Sequence, residues 1–263
     1  MPGMDAGWLV AALLLSVRLG ALALMAPPLG GAMVPPTVRV AIVLSWAAVL
    51  ATSVRPLEPA LHSALASSGS FLSLSPLLAA AASEAALGAV MALGLNMAFA
   101  MFSFGARLVD VQIGFGMGQV FDPMTRQQLP ILGAVFTQVA LVGFFLLDGH
   151  HALLRGVALS LEAAPPGGAW ALEPLLPAVA KQAGQMFSLG FAMVAPVVFC
   201  LTLVELGLGV LSRNLPQMNT LVVGVPIKVV VGLTALGLWA TASGAVMQRA
   251  HASTFAMWGA LWR

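Results

Sequence analysis

Charge is what this 263-residue chain has least of: 8% of its residues are Asp, Glu, Lys or Arg, against 60% hydrophobic ones. Soluble domains carry roughly 25% charged residues, so a mostly wetted surface is excluded and the chain reads as an integral membrane protein. A lone cysteine, Cys200, excludes an intrachain disulfide, and its apolar setting predicts a small buried residue rather than a reactive thiol. The net charge of +2 gathers into no basic patch, so no nucleic-acid partner is expected. A charged leader is missing as well. Asp5 is the only charge before Arg18, so the first apolar run is expected to stay in the mature protein. Catalytic patterns are absent too: there is no nucleophile elbow with a Ser/His/Asp set, no carboxylate pair at catalytic spacing and no phosphate loop. Neither an enzyme nor a cofactor is expected.

What is present is a series of uncharged intervals. None of Leu19–Val38, Ala85–Ala106, Gln127–Leu147, Gln182–Val204 or Val229–Gln248 contains a charge. Each is near the ~20 residues that span a hydrocarbon core, while Val40–Val54 is shorter. Alternating strand patterning is absent, and Ala, Leu, Gly and Met dominate, so the fold expected is all-α. Six helical segments are read at about 8–26, 37–54, 77–106, 129–147, 178–211 and 218–247. Pro27-Pro28, Pro35-Pro36, Pro196 and Pro226 are expected to break helices. The connectors 55–76 and 163–177 are rich in Pro, Gly or Ser, but neither reads as a linker, so residues 1–263 form one membrane domain. Under plain six-span crossing, Arg55, Arg155, Lys181, Arg249 and Arg263 fall on one side, and Arg39, Arg107, Arg126, Arg213 and Lys228 on the other. Such a balance is no positive-inside signal and argues against simple up-and-down crossings.

Between two apolar runs lies a stretch that cannot form a stable helix, Gly114 to Pro130, with glycines at 114, 116 and 118 and prolines at 123 and 130. Irregular backbone at such a place is tolerated where protein or a water-filled cavity satisfies it. No strand precedes the glycines, which excludes a nucleotide-binding loop. Two readings remain: a glycine-rich turn between helices, or a plug that lines or closes a passage. The plug would comprise Gly114, Phe115, Gly116, Met117, Gly118, Val120, Phe121, Asp122, Pro123 and Met124. Phe115, Met117, Val120 and Phe121 would supply adaptable apolar contacts.

Ionisable groups inside apolar runs are costly and face protein or water. Arg18, Glu84 and Glu205 are such groups here, and they read as hydrogen-bonding partners between subunits. Arg213, Gln217 and Asn219 sit at an expected tight bend near Asn214-Leu215-Pro216, with contacts to neighbouring subunits or to the turn. Lys228 reads as snorkelling to water or touching a neighbour. Arg107 and Asp110, three residues apart on a helix end, read as a local pair that neutralises the rim of the loop or as two solvated side chains. Asp148, His150 and His151 offer metal-ligand chemistry, but adjacent histidines on a helix point about 100° apart, so no metal is expected. Asp148 is expected instead to cap a helix beginning at Gly149.

Several of these runs together resemble one family. Val17-Arg18-Leu19-Gly20, Ala26-Pro27-Pro28-Leu29-Gly30 and Val34-Pro35-Pro36-Thr37-Val38-Arg39 are similar to the N-terminus of the FliR/SctT family of type III secretion export-gate subunits. Phe121-Asp122-Pro123 with Gln128-Leu129-Pro130 resembles its mid-chain signature, as does Asp148-Gly149-His150-His151 after it. Leu206–Asn219 and Val223–Leu233 are similar to its last third, so the likeness runs in order over about residues 8–245. The resemblance implies broken helical hairpins, a P-like N-terminal part and a Q-like C-terminal part. It implies a helical core built with FliP and FliQ, joined by FlhB, that sits largely above the bilayer plane. Unfolded flagellar substrates would pass through it, driven by the proton-motive force. It places the chain in the bacterial inner membrane, in contact with lipid, at the flagellar basal body. It also favours the plug reading, because the family's matching loop protrudes into the pore lumen. The alternatives are the T subunit of an injectisome and, from another class, a secondary transporter or a membrane scaffold. The central motif and Val223-Gly224-Val225-Pro226 favour the flagellar branch.

Overall fold

Runs of Ala, Leu, Gly and Met without alternation produce helices, and among the described residues there is no strand. The computed structural model describes residues 6–30, 34–53, 74–115, 131–168, 170, 173–215, 217, 219–240 and 244–261. In chain order the helices are α1 (Ala6–Met25), α2 (Pro27–Gly30), α3 (Pro36–Ser53), α4 (Leu74–Ile113) and α5 (Ile131–Leu146). They continue as α6 (Gly149–Ala163), α7 (Leu175–Asn214), α8 (Thr220–Ala240) and α9 (Gly244–Leu261). The six expected segments are α1, α3, α4, α5, α7 and α8; α9 was not foreseen.

The prolines divide into two kinds. Pro27 and Pro36 open α2 and α3, where the missing N–H has no intrahelical partner to lose. Pro196 and Pro226 were expected to break their segments, and instead α7 and α8 run straight through them. In an apolar medium a break strips several backbone groups of their partners, whereas continuing the helix forfeits one hydrogen bond.

Stretches of α1, α4, α7 and α8 are long and apolar enough to cross a bilayer. The pair α5 and α6, interrupted at Leu147-Asp148, makes a fifth candidate span. The chain is an integral membrane protein.

Two compact units divide the chain, and they interleave in sequence. Unit 1 takes Met1–Met97, Asp148–Gln182 and Ser253–Arg263; unit 2 takes Ala98–Leu147 and Ala183–Ala252. Unit 1 has a dense core of Leu14, Leu15, Leu19, Leu22, Leu87, Met91, Leu95 and Trp258, all under 3% exposed. Small residues permit it: a Cβ on Gly88 would collide with the Arg18 carbonyl, and one on Gly156 with the Trp258 ring. The Trp258 indole N–H donates to the Met91 carbonyl at 3.2 Å, so the buried ring leaves no orphan donor. Unit 2 packs Phe99 against Phe144, and Met193 against Gly105, but leaves most of its long helices open. Of the apolar stretch of α8, 11% is buried within the chain, against 56% for that of α4.

Candidate functional site

In unit 2 the two ends of the glycine-rich loop are tied together. Gly114 leaves α4 at φ 96, a left-handed value open to glycine, and its N–H donates to the Asp110 carbonyl at 3.2 Å. The Asp110 carboxylate, buried to 6% exposure, accepts the Leu132 N–H at 3.3 Å in the first turn of α5. A carboxylate there satisfies a free amide and complements the positive end of the helix. One side chain therefore holds the C-terminal end of α4 to the N-terminal end of α5. The local Arg107–Asp110 pair does not form: Arg107 points to the exposed side of α4 while Asp110 faces α5. Of the candidate plug, Gly114 and half-buried Phe115 are described. Gly116, Met117, Gly118, Val120, Phe121, Asp122, Pro123 and Met124 lie outside the described residues.

Beside Gly114 opens a cavity of about 330 Å³, walled by Val111, Ile113, Leu208 and Ser212 and crossed by an ion pair. Lys228 of α8 donates to the Glu205 carboxylate of α7. Glu205 remains 43% exposed and Lys228 21%, so both stay accessible from outside the chain. Reading each residue alone missed this pair. A usable signal existed, since the two stand nearly equidistant from the bend at Gln217 and so face each other on an antiparallel hairpin.

The bend itself lies where it was expected. The last turn of α7 closes with Leu215 N–H donating to Leu211 at 2.9 Å, and Asn219 receives the Val222 N–H at 3.1 Å as α8 begins. Arg213, Gln217 and Asn219 are all exposed there. Around them the hairpin presents Leu206, Val210, Val222 and Val230, each more than 60% exposed. Cys200, expected to be buried, is half-buried on the same helix.

Arg18 and Glu84 take a different place. Both are 1% exposed in unit 1, and their side chains meet at 2.5 Å (Nε to Oε2) and 3.0 Å (Nη2 to Oε1). Nη1 donates to the Ser160 hydroxyl at 3.0 Å and its carbonyl at 3.2 Å, and Nη2 donates to the Ala164 carbonyl at 2.8 Å. All five guanidinium N–H groups are thus used within the chain. Glu84 also accepts the Gly167 N–H at 2.9 Å. The two residues expected at a subunit interface instead bind α1, α4 and α6 into one body.

At the start of α6, Asp148 adopts φ 54 and makes no side-chain cap bond, contrary to expectation. Its Oδ1 lies 3.2 Å from His151 Nδ1. The His150 and His151 rings stack with centroids 4.1 Å apart, so the divergence expected of adjacent histidines is overcome by their side-chain rotations. Sequence reading also missed His251 of α9. It is 6% exposed, between Phe99 and Phe144 of unit 2, and neither ring nitrogen has a hydrogen-bond partner. Burial holds its pKa below the usual 6.5.

Residues 9–253 match the family described as bacterial export proteins, family 1. The flagellar biosynthetic protein FliR of Bacillus subtilis is 35% identical over 158 residues, covering 58% of this chain and 60% of that protein. FliR of Pectobacterium carotovorum is 28% identical over 58% of each chain. The secretion system apparatus protein SsaT of Salmonella typhimurium is 26% identical over 49% of this chain and 50% of its own. The matches to the two FliR proteins thus span about three-fifths of those proteins' lengths.

Proposed function

We propose, for a chain that belongs to the bacterial export proteins, family 1, that it is the R subunit of a flagellar type III export gate. It assembles in the bacterial inner membrane at the basal body with FliP and FliQ, and with FlhB. Unfolded flagellar substrates pass the gate that these subunits form. The observation that carries this reading is the α7–α8 hairpin. Its apolar surface would suit lipid, but the same surface carries Glu205 at 43% exposure, and a carboxylate facing hydrocarbon is expensive. Neighbouring protein satisfies both kinds of group at once. Glu205, Arg213, Gln217, Asn219 and Lys228 are the polar contacts of that face. Arg18 and Glu84 serve it indirectly, by holding unit 1 together.

The loop from Gly114 to Met124 is the plug. Its base is tied by Asp110, so its tip can leave a lumen without displacing α4 or α5. Deleting residues 114–124 should leave assembly nearly intact, raise single-channel conductance of the purified complex and make cells sensitive to ion leak. A deletion complex that assembles yet stays tight to ions would overturn the plug. The injectisome reading has support in the SsaT similarity, over about half of each chain. Copurification decides between them: FliP and FliQ support the flagellar gate, and their injectisome counterparts support the other.

A further inference from the structure

We propose that Asp148, His150 and His151, at the first turn of α6, form a binding site for a divalent transition-metal ion of the zinc class. Their ligand atoms, one carboxylate oxygen and one nitrogen from each imidazole, all lie within 4.8 Å of one another. A tetrahedral ion with bonds of ~2.0–2.1 Å holds its ligand atoms roughly 3.4 Å apart. The distance left to close, from 4.8 Å to about 3.4 Å, is on the scale of a side-chain rotation. Asp148 and His151 are 74% and 69% exposed, so both side chains have room to turn.

The local backbone explains why this stretch can do what a regular helix cannot. Asp148 sits in the left-handed region, φ 54, ψ 29, immediately before α6. That conformation is uncommon for a residue with a side chain. It brings the carboxylate to His151, at 3.2 Å from Nδ1, rather than onto the free amides of the helix. The His150 ring stacks on the His151 ring at 4.1 Å between centroids, 37° between planes. Three donors are thus gathered at one turn, and water would fill the rest of a coordination sphere.

The donor set selects the metal. Two imidazoles and one carboxylate suit Zn²⁺, Cu²⁺ and Ni²⁺, whereas Mg²⁺ and Ca²⁺ prefer all-oxygen sites. The positive end of α6 opposes a cation, and the Asp148 charge offsets that opposition. Bound there, the ion would pin the left-handed turn and fix the first turn of α6.

The test uses the assembled complex, purified through an affinity tag that contains no histidine. Zn²⁺ is titrated against a chelating dye, and Cu²⁺ binding is followed by electron paramagnetic resonance. The expected result is one Zn²⁺ per copy of this chain, and a Cu²⁺ signal split by two imidazole nitrogens. His150→Gln with His151→Gln should weaken Zn²⁺ binding by tenfold or more, and Asp148→Asn by roughly tenfold. Mg²⁺ in excess should not compete. Saturable binding that survives the double histidine variant would place the ion elsewhere and overturn the site. So would a Cu²⁺ spectrum with one nitrogen or none, a reading on the unaltered complex that holds whether or not the variants assemble.

Discussion

Among the described residues two ion pairs bridge helices, and their surroundings are opposite. In unit 1, Arg18 and Glu84 are each 1% exposed, and every guanidinium N–H has a partner inside the chain. In unit 2, Glu205 and Lys228 join α7 to α8 but remain 43% and 21% exposed on a face that is otherwise apolar. A buried pair is weak evidence of net stability, yet losing one partner strands a charge in a low-dielectric interior. An exposed pair contributes little to its own fold. The first pair therefore closes a body, and the second leaves a surface that another molecule can complete.

The strongest way to break that contrast is Glu84→Leu. It leaves the Arg18 guanidinium without its counter-charge and should cost about 3–5 kcal/mol, read as a fall in the thermal midpoint and in the amount of folded chain. Arg18→Met together with Glu84→Met should recover most of the loss. If the double variant is as unstable as the single one, packing rather than charge holds unit 1. Next comes Gly88→Ala, whose Cβ meets the Arg18 carbonyl backbone; overpacking of this kind costs ~1–3 kcal/mol. Gly209→Ala on the open hairpin has nothing within 4 Å and should change the midpoint by less than about 0.5 kcal/mol in equivalent stability.

Glu205→Gln sharpens the other half. It should alter the stability of the chain by at most ~1 kcal/mol, while lowering the yield of assembled complex in detergent. A variant that unfolds the chain but leaves assembly per folded chain unchanged would make this pair a second closing device. The smallest effect expected is that of His251. Burial lowers its folded pKa beneath the usual 6.5, so the unfolded chain binds the proton more tightly. The stability that its neutral form supports is whole above that value and declines as pH falls through it toward the lower folded pKa. His251→Phe should flatten this slope in midpoints measured across roughly pH 5 to 8.

Much of the architecture could be read from sequence because it depends on local physics. Uncharged intervals locate the helices, Pro36 opens α3, and the polar cluster around Gln217 marks the bend between α7 and α8. What escaped reading was set by distance. Nothing local tells Arg18 that Glu84, 66 residues away, will meet it. The same holds for Asp110, whose partner amide is 22 residues on, so its near neighbour Arg107 looked the better match. Pro196 and Pro226 misled for another reason: the rule that they end helices assumes water ready to receive the freed backbone groups. α9 was hidden by Gln248, Arg249 and His251, which give it a polarity unlike that of the spanning helices.

Asp110 has a consequence for how this protein could vary. Because the carboxylate links the end of α4 to the start of α5, the separation of those ends belongs to the folded body and not to the chain that runs between them. The entropic cost of closing a loop grows only logarithmically with its length, so doubling the number of intervening residues would cost about 0.6 kcal/mol. Residues can be inserted after Phe115, or removed, with α4 and α5 left in register. If that segment is the plug proposed above, its size can change while the frame that carries it stays the same.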